Sequence, residues 1–242
     1  MATTWRQSRR VQRTLVTLAI FVCGAAWAGW TQLHQQQPAS QPAVKSSTQT
    51  VSTGQAADAL TTLPVKGRAP MTGYARTAFG PGWATVGGCD MREHILGRDL
   101  TGATYRSATD CTVLSGTLRD PYTDKTIPFT RGTGTSDAVQ IDHVVAIGNA
   151  WQTGAQALTP AERTKLYNDP LELLAVDGPT NEQKGDGDAA TWLPPNTAYR
   201  CRYVARQVAV KQAYHLWVTQ AEHDAIQRVL ATCPGQQLPT VN

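Results

Sequence analysis

The stretch that most constrains the fold runs from Val139 to Ile147. Val139, Ile141, His143, Val145 and Ile147 share one face of it, and Val144 and Ala146 lie on the other. A short run that is apolar on both faces reads as a strand buried on both sides. Leu171-Glu172-Leu173-Leu174-Ala175-Val176 reads as a second strand. Between them, Thr159-Pro160-Ala161-Glu162 is a capping box with proline at the first helical position, so a helix runs from there to about Tyr167. Asp177-Gly178-Pro179 then turns the chain into a short helix carrying Asn181 and Lys184. Strand, excursion, strand, turn, helix is a ββα arrangement. It sets Asp142 and His143 near the end of the first strand, and Asn181 and Lys184 one turn apart on the helix that follows.

The flanking segments supply support on either side. Met91 to Leu100 has the pattern of a short amphipathic helix ending near Gly97. Cys111 to Leu118 and Lys125 to Phe129 read as strands joined through the turn Asp120-Pro121-Tyr122-Thr123-Asp124, an N-terminal hairpin. Asn196 can cap a helix from Thr197 to about His215, on which Arg202 and Arg206 share a solvated or salt-bridged face. Thr219-Gln220-Ala221-Glu222 is a second capping box, for a helix to about Thr232. The expected class is α+β, a ββα core with a hairpin before it and a helical hairpin after it.

The first 30 of the 242 residues do not belong to that domain. Arg6, Arg9, Arg10 and Arg13 precede an uncharged, largely apolar run from Thr14 to Trp30, and Ala26-Trp27-Ala28 is a small-x-small cleavage signal. A signal peptide is the first reading and a membrane anchor over residues 14–30 the second; both export the rest of the chain. Residues 31–70, rich in Gln, Ala, Ser, Thr and Pro without a hydrophobic period, read as a disordered tether to a domain over residues 71–242. Four cysteines follow the leader: Cys89, Cys111, Cys201 and Cys233. In an oxidising compartment they imply two disulfides, with three connectivities open. The sequential pairing, Cys89–Cys111 and Cys201–Cys233, is preferred because each pair brackets one local unit.

The net charge of +4 belongs to the N-terminal segments, because the chain from Met71 onward carries 15 basic and 17 acidic residues. A global basic field is therefore excluded, and any contact with nucleic acid has to be local. The residues of the ββα unit suit phosphodiester chemistry. A histidine can take a proton from water near neutral pH, and oxygen donors can hold a divalent cation on the phosphate. Successive strand residues point to opposite sides, so Asp142 and His143 are splayed, as a metal ligand and a base would be. Asn181 can complete the metal's protein ligands, and Lys184 can contact a phosphate as a point charge. Read without function, His143 is a core histidine satisfied by a backbone carbonyl, and Asn181 a turn or cap residue.

The order Asp142-His143, Leu171-Glu172-Leu173-Leu174, Asn181-Glu182-Gln183-Lys184-Gly185 resembles the HNH nucleases, also called ββα-metal or His-Me finger nucleases. Asp120-Pro121-Tyr122-Thr123, Asn168-Asp169-Pro170-Leu171 and Trp192-Leu193-Pro194-Pro195-Asn196 extend the likeness to exported HNH proteins of the GmrSD C-terminal class. The resemblance implies a metal-dependent endonuclease acting on DNA, with His143 as general base, Asp142 and Asn181 as metal ligands and Mg²⁺ as the first metal. The middle Asn of the HNH pattern, which braces the base-bearing loop, falls at Glu172; a carboxylate can brace only as an acceptor, and Asn168 is the alternative. Glu172 and the acidic domain also fit an HNH fold that binds without cleaving. The tether fits another exported metal hydrolase.

Overall fold

The computed structural model describes residues 55–239. The leader and residues 31–54 of the expected tether lie outside the described residues. The tether does not extend to residue 70, however. A helix, α1 (Ala56–Thr62), buries Ala56, Ala59 and Leu60, and Leu63 after it is also buried. Isolated bridges tie Gln55 to Gln237 and Val65 to Val218, and Ala69 donates its backbone N–H to the Gln152 carbonyl. Polar composition concealed this because α1 presents only a few apolar residues, spaced at i, i+3, i+4.

A two-residue hairpin follows, β1 (Thr85–Val86) paired with β2 (Cys89–Asp90). Its turn needs positive φ at both central positions, which Gly87 (58°) and Gly88 (86°) provide. Asp90 caps α2 (Met91–Asp99) by accepting from the Glu93 N–H. The chain then forms a three-stranded antiparallel sheet in the order β3 (Leu100–Ser107), β4 (Asp110–Arg119), β5 (Thr126–Thr130). The β4–β5 hairpin is the one read from the sequence; β3 is additional. The Cys89–Cys111 disulfide joins β2 to β4.

The ββα unit is built as its pattern indicates, with one shortening. β6 (Val139–His143) pairs antiparallel with β7 (Leu173–Asp177), placing Asp142 opposite Leu174 and His143 opposite Leu173. The strand stops at His143, and Ile147 already begins α3 (Ile147–Gln152), which takes in Asn149, Ala150 and Trp151. The excursion closes with α4 (Pro160–Tyr167), whose Thr159–Glu162 capping box is formed in both directions. Asp177 caps α5 (Gly178–Lys184), the helix that carries Asn181. The free edge of β7 is sealed by side chains. Arg98 and Arg206 both donate to the Leu173 carbonyl, while Asp99 accepts the Ala175 N–H and Asp120 the Asp177 N–H. Arg206 is thus a backbone clamp and not part of a solvated face.

After a 3₁₀ turn, α6 (Arg200–Ala213) and α7 (Gln220–Leu230) form the helical hairpin, joined by the Cys201–Cys233 disulfide. Helix α1 packs on both. Two hydrophobic cores result. The larger gathers α1, α6 and α7 with Val144, Val145, Leu174 and Val176. The smaller gathers α2 and the β4–β5 hairpin with Val139, Ile141, Leu173 and Ala175. The β6–β7 ribbon therefore lies between two cores, which is why every residue of β7 is buried.

Candidate active site

Adjacent residues of one strand send Asp142 and His143 into different surroundings. Asp142, 5% exposed, faces the larger core. Its Oδ2 accepts from the Tyr122 hydroxyl at 2.5 Å, and its Oδ1 accepts from Lys184 Nζ at 2.8 Å. Lys184 also donates to the His143 carbonyl at 2.7 Å. With its side chain fully buried, this lysine is not positioned to meet a substrate phosphate, which corrects the sequence reading. The spacing of Asn181 and Lys184 was read correctly, but a three-residue step on a short helix does not show which side faces solvent. Here Lys184 compensates a buried carboxylate and ties the helix to the strand end.

His143 is 4% exposed and is packed against Tyr167 and Trp83. Its Nε2 lies 2.9 Å from the Tyr167 carbonyl. A carbonyl only accepts, so Nε2 carries the proton and the neutral ring keeps its lone pair on Nδ1. Burial pushes the imidazole down to about 3, Arg76 and Lys184 push the same way, and the Tyr167 carbonyl opposes them. The fold therefore holds the ring as a neutral base in one tautomer.

Glu172, fully buried, reaches the backbone just beyond β6. Its two carboxylate oxygens accept the Val145 N–H at 3.2 and 3.1 Å. Both oxygens act as acceptors in this contact. Burial raises this carboxyl well above the usual range, and the Val145 N–H opposes that rise. Asn168 lies elsewhere. Its Oδ1 accepts the Ala84 N–H at 2.7 Å and its Nδ2 donates to the Thr164 carbonyl at 3.0 Å, so it fastens the loop that brings Trp83 beside His143.

Asn181 is oriented by a relay of amides. Glu182 accepts from Gln140 Nε2 at 3.0 Å, which leaves Gln140 Oε1 as an acceptor for Asn181 Nδ2 at 2.8 Å. Asn181 Oδ1 is left without a hydrogen bond among the described residues. Asp142, His143 and Asn181 line one cleft of about 230 Å³, together with Arg76, Asp186 and the start of α3. Asp186 Oδ1 accepts the Gly148 N–H at 3.2 Å, and a Cβ at Gly148 would come within 2.4 Å of the other carboxylate oxygen, so a larger residue there would displace Asp186 from this contact.

Among the described residues, no three His, Cys, Asp or Glu side chains gather closely enough to hold a metal by themselves. The oxygen donors at the cleft are instead the Asp142 carboxylate, which has lone pairs beyond its two bonds, the unclaimed Asn181 oxygen and, at the rim, the Asp186 carboxylate. This hard, sparse oxygen set is compatible with a hydrated divalent cation that keeps most of its waters.

Sequence reasoning missed Tyr122, Trp83, Arg76 and Asp186, which come from segments outside the strand–helix pattern. Tyr122 carried a signal in the Asp120-Pro121-Tyr122-Thr123 turn. Asp120 accepts from the Thr123 N–H and from the Asp177 N–H at the end of β7, which delivers the tyrosine onto Asp142. No local pattern marks Trp83 or Arg76.

A profile of the C-terminal domain of GmrSD restriction endonucleases matches residues 90–229, from the cap of α2 to the end of α7. An uncharacterized secreted protein of the fungus Arthroderma benhamiae is 38% identical over 177 residues, covering 72% of this chain and 82% of that protein. No solved structure matches significantly. The profile spans the hairpin sheet, the ββα unit and the helical support, so the chain belongs to the family of GmrSD restriction endonuclease C-terminal domains.

Proposed function

We propose that this protein is an exported, metal-dependent endonuclease that hydrolyses DNA phosphodiester bonds. The observation that carries the reading is His143, kept neutral by burial and fixed in one tautomer by the Tyr167 carbonyl, beside a cleft that also presents an unclaimed Asn181 oxygen. The family's name points to nucleic acid, and the secreted relative and two disulfides support export.

In this reading His143 Nδ1 accepts a proton from the attacking water, while the Tyr167 carbonyl fixes the ring and its tautomer. A pKa of about 3 suits a resting base poorly, but an anionic phosphodiester in the cleft offsets Arg76 and Lys184, the cations that help depress it. Asp142 and Asn181 would hold a divalent cation, Mg²⁺ first, and the cation would supply charge neutralisation at the phosphate and leaving oxygen. Tyr122 and Lys184 keep Asp142 in one position, and the Gln140–Glu182 relay does the same for Asn181. Arg76, exposed at the mouth, takes the phosphate-contacting role first given to Lys184.

Plasmid DNA incubated with the purified protein should be nicked with Mg²⁺ and left intact with chelator. Asn181→Ala should need a much higher metal concentration for the same rate. Equal nicking in chelator would exclude the metal, and an unchanged metal requirement in Asn181→Ala would exclude this ligand.

A further inference from the structure

Beyond the cleft at His143 the surface continues into a wider hollow of about 600 Å³. It shares Arg76, Ile141 and Asn181 with the cleft, so the two adjoin. Its own walls bring Trp83, Arg92, Arg131 and Asp137. Three arginines thus line the hollow on a domain whose acids outnumber its bases from Met71 onward.

Arg92 stands where folding stability alone would not place a cation. It occupies the first turn of α2, the end at which the helix dipole favours acids. Its side chain makes no ion pair or hydrogen bond among the described residues. Burial, followed by the neighbouring Arg131, holds its guanidinium below the usual arginine range, with Glu93, Asp90 and Asp137 opposing. Arg131 is fixed by contrast, bonded to Glu93 and to the Val113 carbonyl. Arg131 keeps Glu93 as its partner, so Arg92 is the guanidinium left to take an added anion, and the planar arginine fork suits phosphate oxygens. Trp83 adds a half-buried indole on the same wall, parallel within 4° to the His143 ring.

We propose that this hollow is the track for phosphates flanking the scissile one: a DNA strand runs along Arg92 and Arg131 and presents its reacting phosphodiester at His143 and Asn181. The inference rests on the phosphodiesterase reading of the cleft and adds where the polymer lies. DNA binding should therefore depend on Arg92, whereas hydrolysis of a diester too small to reach the hollow should not.

The test measures binding of a fluorescein-labelled DNA duplex by anisotropy in chelator, across a salt series, for wild type and Arg92→Ala. Loss of one phosphate contact should lower the slope of log K against log salt by about one and weaken binding roughly tenfold at about 0.1 M salt. Arg92→Gln, which keeps the side-chain bulk, should behave like Arg92→Ala. Hydrolysis of bis(p-nitrophenyl) phosphate with Mg²⁺ should agree between wild type and Arg92→Ala within about twofold, since that diester spans only the cleft. Equal DNA affinity and slope in wild type and both variants would overturn the track. Absence of diester hydrolysis in wild type, with the Arg92 binding defect present, would instead remove the catalytic reading and leave the track standing.

Discussion

Replacing Lys184 by methionine distinguishes the two roles a lysine near such a cleft can have. Lys184 is buried on Asp142 and the His143 carbonyl, so Lys184→Met leaves a carboxylate without its charge partner and should cost roughly 3–5 kcal/mol in urea denaturation. A lysine that only met substrate would leave the urea midpoint unchanged. His143 makes a second residue-scale prediction. Its folded pKa of about 3 lies below the unfolded value, so the unfolded chain binds the extra proton between the two. The stability this group contributes is full above about pH 6.5 and is lost as pH falls toward 3. Urea midpoints should therefore drop less between neutral and mildly acidic pH in His143→Phe than in wild type. Asp142, His143 and Asn181 were legible in the sequence because strand alternation and one helical turn fix where they stand. Tyr122, Trp83 and Arg76 were not, because only long-range packing brings them to the same place.

At the scale of elements, the apolar run from Val139 to Ile147 promised a longer strand than forms. Pairing ends at His143 because the Val145 N–H turns to Glu172 and the Val144 carbonyl accepts from Gln207. Apolar residues on both faces mark burial, and burial persists through the bend into α3, so hydrophobicity could not show where pairing stops. Strand β3 was missed for the opposite reason: most of Leu100–Ser107 is exposed, leaving no alternation to read. The capping boxes at Thr159 and Thr219 gave two helix starts correctly, since each is a local reciprocal hydrogen-bond pattern. Glu172→Leu should test the brace. It removes the acceptor for a buried N–H, so it should cost about 1–3 kcal/mol and lower cleavage. Glu172→Gln keeps an acceptor and should lose less of both; equal losses in the two variants would count against the brace.

For the whole molecule, the two disulfides were expected and the division into two cores was not, nor was the domain's N-terminal limit. Leu60 and Leu63 are 3% and 6% exposed in the larger core, so a chain beginning at Met71 uncovers part of α6 and α7. Chains starting at Gln55 and at Met71 should differ in stability by several kcal/mol, given about 1.5–3 kcal/mol for each buried leucine. Equal thermal midpoints would place the N-terminal segment outside the cooperative unit. In the function proposed, His143 is the base of a metal-dependent DNA-cleaving site. The most direct measurement is the initial rate of plasmid nicking with Mg²⁺ for wild type and His143→Ala, with urea midpoints showing that both are folded. Folded His143→Ala should nick at least about a hundredfold more slowly, the usual range for a general base. Nicking at the wild-type rate by a folded His143→Ala would contradict it.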